Sequence, residues 1–138
     1  MGEFDPGIRY RRRDLHHQYG GQQQGGISTP AKHPLIFLFT GETGEQFGYR
    51  DGWESSNTFH YTGEGQIGNM AFVRGNAAIR DHTSTGKDLH LFEVVAKGLV
   101  RYIDQMVCMN TELVPDVPDR NGGPRTAIVF HLVRAGAY

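Results

Sequence analysis

One cysteine in 138 residues, Cys108, rules out an internal disulfide and fits a reducing compartment. It lies in the apolar run Met106 to Met109, where a core residue is expected rather than a nucleophile. No apolar run approaches the roughly 20 residues of a membrane span. The N-terminus carries no signal-peptide pattern, so neither a membrane nor a secretory route is expected. A strong charge of one sign is also lacking: the net charge is −1, which does not advertise a nucleic-acid partner. The distribution is less even. Residues 1–33 hold Arg9, Arg11, Arg12, Arg13 and Lys32 against Glu3, Asp5 and Asp14, a net of +2 that leaves −3 for the rest. A local basic arm of that kind can neutralise phosphates in a nearly neutral chain, and it can equally be a solvated turn.

What is abundant is glycine, with 19 residues, which argues for tight turns rather than long helices. Residues 1–9 read as a flexible lead-in. Tyr10 to Pro30, YRRRDLHHQYGGQQQGGISTP, has almost no aliphatic side chains and reads as a loop, exposed or draped over a partner. The paired His16 and His17 lack a second pair at ligand spacing, so no zinc site is expected. Leu35 to Phe39 is a continuous apolar run, the mark of a buried strand. Thr58 to Thr62 alternates apolar and polar residues, as a two-faced strand does.

Asn69 to His82 has apolar residues near helical spacing and predicts a helix, weakened by Gly75. Asp88 to Val95, Leu99 to Met109 and Thr126 to Val133 predict three more strands. The turn DRNGGP joins the last two into a long hairpin with Val114 to Asp119 as its irregular shoulder. The fold class expected is α+β, mainly β, a small curved or partly closed barrel with one or two flanking helices. Residues 1–33 form a basic Gly/Gln-rich arm belonging to the domain, and 34–138 its body.

Several catalytic motifs fail on inspection. Gly63, Gly65 and Gly68 spell G-x-G-x-x-G with Asp88 about 20 residues on. The preceding strand is polar at alternate positions, however, and turns rather than crossover helices join the remaining strands, which removes the dinucleotide-binding unit. Thr85–Gly86–Lys87 is followed by Asp88 where a phosphate loop needs a hydroxyl. Ser28, Ser55, Ser56 and Ser84 stand in no nucleophile elbow. Asp81, His82 and His90 are too sparse for an HNH-type metal site. No catalytic residue, metal or cofactor is expected.

The stretch Phe47 to Gln66, FGYRDGWESSNTFHYTGEGQ, sets Tyr49, Trp53 and Tyr61 among Asp51, Glu54, Asn57 and Thr62. Rings beside hydrogen-bonding groups on a glycine-rich loop suit a flat polar ligand such as a nucleobase. They suit equally a hairpin whose aromatics enter the core. With PLIFLFTGETGEQFGYRDGW, FHYTGEGQIGNM, GNAAIRDH, GKDLHLFE and AIVFHLV, residues 10–134 resemble the SET-and-RING-associated (SRA) domain. The resemblance is strongest to its bacterial branch, commonly fused to HNH endonucleases.

That resemblance implies a PUA-like β-barrel that flips a modified cytosine, 5-methylcytosine or 5-hydroxymethylcytosine, from duplex DNA. It implies that Tyr49 and Tyr61, twelve residues apart, stack on the base, with Gly48 and Thr62 lining the pocket. Asp51 matches the aspartate that accepts from the exocyclic amine, one residue closer to Tyr49 than in the eukaryotic pattern, and Glu54 is the alternative. Trp53 forms the pocket wall or enters the core. The Tyr-Asp-Gly signature is replaced by Tyr102-Ile103-Asp104. Arg11, Arg12, Arg13, Gln22, Gln23, Gln24 and Arg74 are the expected contacts to backbone and groove, with the glutamines or arginines filling the vacated stack. A restriction system, an HNH domain or partner, and a bacterial cytoplasmic, nucleoid-associated setting are implied with it. The other readings open are a PUA-like RNA binder holding an unpaired base and an enzyme binding a nucleotide at GEGQIG.

Energetics frame the expectation. Extruding a base costs a few kcal/mol, and stacking returns roughly 1–3 kcal/mol per base. The two nearly cancel, so net affinity falls to backbone contacts. A buried methyl adds about 0.8 kcal/mol, a factor of about four, so a strong preference needs a selective pocket wall.

Overall fold

The computed structural model describes residues 4–41 and 51–137. Its strands are β1 (Arg9–Arg11), β2 (Ile27–Ser28), β3 (Leu35–Thr40), β4 (Gly52–Trp53), β5 (Thr58–Thr62), β6 (Asp88–Ala96), β7 (Leu99–Pro118) and β8 (Pro124–Arg134). The helices are α1 (Arg12–Tyr19) and α2 (Arg74–Arg80). The strands join one curved, unclosed sheet in the order β2-β3-β6-β7-β8-β5-β4, with β1 pairing the start of β7.

Leu35 to Thr40 reads as an unbroken apolar run because both its faces are covered. Ile36 and Leu38 enter a cluster with Phe59, Tyr61, Ile79 of α2, Met106 and Phe130. Leu35, Phe37 and Phe39 enter a second cluster with Phe4, Leu15 of α1, Phe92 and Tyr102. The alternation of side chains along one strand thus feeds two cores, each closed by one helix. β3 lies parallel to β6, with Leu35 opposite Asp88 and Thr40 opposite Glu93. Turns therefore do not join all the later strands as the sequence suggests: the β3–β6 connection is a long crossover carrying β4, β5 and α2. The strand before the glycine triplet, β5, is antiparallel to both its neighbours, β4 and β8.

Three local expectations need correction. Residues 4–30 are not a lead-in and loop. Phe4 is 6% exposed, Arg9–Arg11 pairs with β7, and Arg12–Tyr19 is a helix that buries Leu15 and His16. Beside Leu15 and Ile27, the aromatic and histidine side chains of this arm supply its buried contacts.

The helix expected over 69–82 is confined to Arg74–Arg80. Met70 N–H donates to Thr126 O at 3.0 Å and Asn69 Oδ1 accepts from Thr126 N at 2.7 Å, which commits that segment to the start of β8. The strand expected to stop at Met109 runs to Pro118. Its register shifts between Val114 and Val117, where Asp116 has φ +60°, so a bulge absorbs Pro115 without ending the ladder.

Candidate functional site

A cavity of about 640 Å³ opens between the N-terminal arm and the segment from β5 to α2. Phe39, Asp51, Tyr61 and Thr62 line one part of it. Gln22 and Gln24 come to it from the arm, and Glu64, Gln66, Asn69 and Arg74 from the opposite segment.

Tyr61 reaches the cavity because the β5 alternation turns Phe59 and Tyr61 inward. It is 2% exposed, and its hydroxyl donates toward Gly26 O at 2.7 Å and Phe39 O at 3.1 Å. Burial, with the carboxylates of Asp51 and Glu64 adding to it, raises its pKa well above the ordinary tyrosine value. Asp51 is held at both oxygens: Oδ2 accepts from Thr40 Oγ1 at 2.6 Å and Oδ1 from Thr62 N–H at 2.7 Å. Those bonds lock the carboxylate onto the ends of β3 and β5. The Thr62 hydroxyl is buried and has no hydrogen-bond partner among the described residues.

Glu54 and Trp53 do not line this cavity among the described residues. Glu54 Oε2 stands 2.5 Å from His60 Nε2. Trp53, 41% exposed, packs edge-on against Phe59 and under the Arg134 guanidinium at 4.4 Å. Trp53 faces its register partner Phe59, and Glu54 follows the end of β4 and meets His60. Gly48 and Tyr49 lie outside the described residues.

The glycine triplet proves to be cavity wall. Gly63 N–H donates to Ile128 O at 2.8 Å, and a Cβ on Gly63 would come within 2.7 Å of Asn76 Oδ1 and 3.2 Å of Ile128 O. Asn76, 1% exposed, staples this wall to α2: Oδ1 accepts from Glu64 N, while Nδ2 donates to Glu64 O and Ala71 O. Arg125 donates from Nη1 to Gly65 O and Gly68 O, and burial lowers its pKa. Asp119, in the β7–β8 turn, accepts from Gly68 N–H at 3.0 Å. Asn76, Asp119 and Arg125 escaped the sequence reading. An asparagine in the otherwise apolar NAAI of α2 was the available signal for the first.

The basic arm divides. Arg11 and Arg13 are exposed. Arg12 is half-buried: its guanidinium lies 3.9 Å from the Phe39 ring centroid, and it donates to His16 Nε2 and Gln22 O. Burial lowers its pKa, so Arg12 acts as a brace for the cavity floor. His16 completes the brace as the neutral tautomer, Nδ1–H donating to Gly20 O; burial lowers its pKa in turn. Gln23 is exposed and outside the cavity lining. Arg74 stands at the cavity with φ +49°, a conformation that costs a non-glycine residue energy and often marks a working position.

Cys108 carries no activated thiol. Burial pushes it up to about 11, and its backbone N–H donates to His82 Nε2 at 3.0 Å. Alkylation of the native chain, followed by mass spectrometry, is expected to be negligible near neutral pH and to accelerate as the pH approaches 11.

The family model for the ScoMcrA-like SRA domain matches residues 6–137. The chain belongs to the ScoMcrA-like SRA domain family. Similar solved structures carry the same fold. The sulfur-binding and SRA domains of ScoMcrA complexed with phosphorothioated DNA match with a TM-score of 0.73 at 22% identity, over 96% of this chain and 40% of that one. ScoMcrA as a type IV phosphorothioation-dependent restriction endonuclease matches at 0.74 and 22%, over 96% of this chain and 28% of that one. The SUVH5 SRA domain with hemi-methylated CG DNA matches at 0.68 and 18%, over 97% of this chain and 90% of that one. This SRA chain thus spans well under half of the two ScoMcrA chains. No curated protein matches it.

Proposed function

We propose that this chain is a reader of modified DNA, the recognition module of a modification-dependent restriction system. In this reading a 5-modified cytosine leaves the duplex and enters the cavity. Tyr61 supplies one stacking face and Tyr49 the other, Asp51 accepts from the exocyclic amine, and the unpartnered Thr62 hydroxyl lies ready for the base edge. Gln22, Gln24 and Arg74 contact the strand at the mouth, and Arg11 and Arg13 the phosphates. The chain acts as a binding domain, and cleavage falls to a nuclease domain or partner of HNH type.

The observation that carries the reading is the convergence of Tyr61, Asp51 and Thr62 on one cavity beside the arm glutamines. The two bonds that fix Asp51 hold an acceptor in place before any ligand arrives, which limits the ordering cost of binding. Family membership and the modified DNA named in the similar structures support the ligand class.

The test is titration with matched duplexes differing only at one cytosine. Tighter binding to the modified duplex is expected, with loss of that preference in Asp51→Ala. Equal binding to both duplexes, or displacement by single-stranded RNA rather than duplex DNA, would overturn the proposal. For the exposed arginines, Arg11→Ala with Arg13→Ala is expected to weaken all duplexes alike and to flatten the log–log salt slope by about 2, near 0.9 per phosphate. Arg12→Ala is expected instead to disturb modified-base preference, because Arg12 braces Phe39 and the Gln22 loop.

A further inference from the structure

We infer that the cavity has an annexe for a hydroxyl-rich, sugar-sized substituent on the 5-position of cytosine. This inference rests on the flipped-base reading above. The cavity, at about 640 Å³, lies in the range of roughly 300–1,000 Å³ typical of pockets for drug-sized ligands. A methylated pyrimidine is no larger than one aromatic side chain. Its edge is served by Asp51, Thr62 and the neighbouring backbone, and its methyl group can accept or donate nothing.

The cavity nevertheless presents further polar groups with unused capacity. Asn69 Oδ1 is tied to Thr126 N–H at 2.7 Å, which leaves its amide nitrogen unpaired among the described residues. Gln66 Oε1 is tied to Arg120 Nη1 at 2.9 Å, with the same result. Glu64 Oε2 accepts from Gly75 N–H at 3.1 Å, which leaves Oε1. Each side chain is therefore anchored at one atom and available at another. Two free donors and a free acceptor result, held by a wall that is itself clamped to the β7–β8 turn through Asp119.

A group with several hydroxyls both donates and accepts and can satisfy such a set. A hydroxymethyl group can engage only part of it. Across the cavity Gln24 forms no hydrogen bond among the described residues, and Ile27 and Met70 provide apolar surface of the kind a sugar ring packs on. The ligand class that matches is a glycosylated 5-hydroxymethylcytosine.

The experiment is fluorescence-anisotropy titration of the whole chain with four duplexes of one sequence. They carry cytosine, 5-methylcytosine, 5-hydroxymethylcytosine or glucosyl-5-hydroxymethylcytosine at one position. The glucosylated duplex is expected to bind tighter than the methylated one by about tenfold or more. Glu64→Gln and Gln66→Ala are expected to bring that ratio toward one. A methylated duplex bound as tightly as the glucosylated one, or more tightly, overturns the annexe while leaving the flipped-base reading standing. An unchanged ratio in both variants also overturns it. Four indistinguishable duplexes overturn the flipped-base reading and the annexe together.

Discussion

Replacing Tyr61 by phenylalanine is expected to cost stability while leaving most of the DNA affinity, and replacing it by alanine to damage both. The hydroxyl shares its one proton between Gly26 O and Phe39 O inside the fold, and Gly26 O also accepts from Phe39 N–H, so Tyr61→Phe removes one buried hydrogen bond, a loss of about 1 kcal/mol. The ring stays, and with it the stacking face. Tyr61→Ala removes a core side chain at about 3–5 kcal/mol, together with a stacking contribution of roughly 1–3 kcal/mol. The latter corresponds to about a 5- to 150-fold weakening.

Thermal unfolding and duplex titration on the two variants separate the effects. Equal losses of affinity in both would show that the hydroxyl, not the ring, serves the ligand. There is a pH signature as well. The hydroxyl's pKa is raised in the folded state, so its contribution is present below the unfolded value near 10 and fades as the pH rises toward the folded one. Tyr61→Phe is expected to lose that part of the alkaline destabilisation.

The second large effect concerns Phe4. Its ring centroid stands within 5.1–5.9 Å of those of His90, Tyr102, Phe92, Tyr10, Tyr19 and Phe37. It therefore closes the cluster beneath α1. Phe4→Ala is expected to cost about 3–5 kcal/mol and to lower the melting temperature by about 10–20 °C. Against a total stability of about 5–15 kcal/mol this is severe. Because Tyr10 and Tyr19 flank both Phe4 and the arm that carries Arg12 and Gln22, the variant is also expected to loosen the cavity. A melting temperature within about 3 °C of the parent would mean that this residue does not hold the arm in solution.

Much of this architecture was legible in the residues. Leu35 to Phe39 announced a buried strand, and the alternation of Thr58 to Thr62 a strand with two distinct faces. DRNGGP marked the β7–β8 turn. The resemblance to SRA domains stands as family membership. Asp51 and Tyr61 meet at one cavity, although their roles on a base remain part of the proposal.

The failures have a common physical origin: long-range partners overrode local pattern. The arm is poor in aliphatic side chains, and Phe4, Tyr10, His16 and Tyr19 supply contact surface with rings beside Leu15 and Ile27. Asn69 and Met70 had helical spacing, yet Thr126, distant in sequence, claims their hydrogen bonds. The parallel pairing of β3 with β6 was invisible because no local signal reports which distant strand a strand will choose. Arg12 resembles its two neighbours in sequence, and its contacts with Phe39, His16 and Gln22 set it apart from them.

The β3–β6 crossover has a consequence for the order in which the chain acquires its properties. All of Asp51, Tyr61, Thr62, the glycine wall and Arg74 lie between these two parallel strands. Parallel pairing across so long a segment must first overcome the entropy of closing a large loop, which slows folding relative to local hairpins such as β7–β8. The cavity is therefore expected to assemble after the central β7–β8 ribbon. A nascent or partly refolded chain would show strand structure before it could engage any ligand, so recognition reports on completion of the fold.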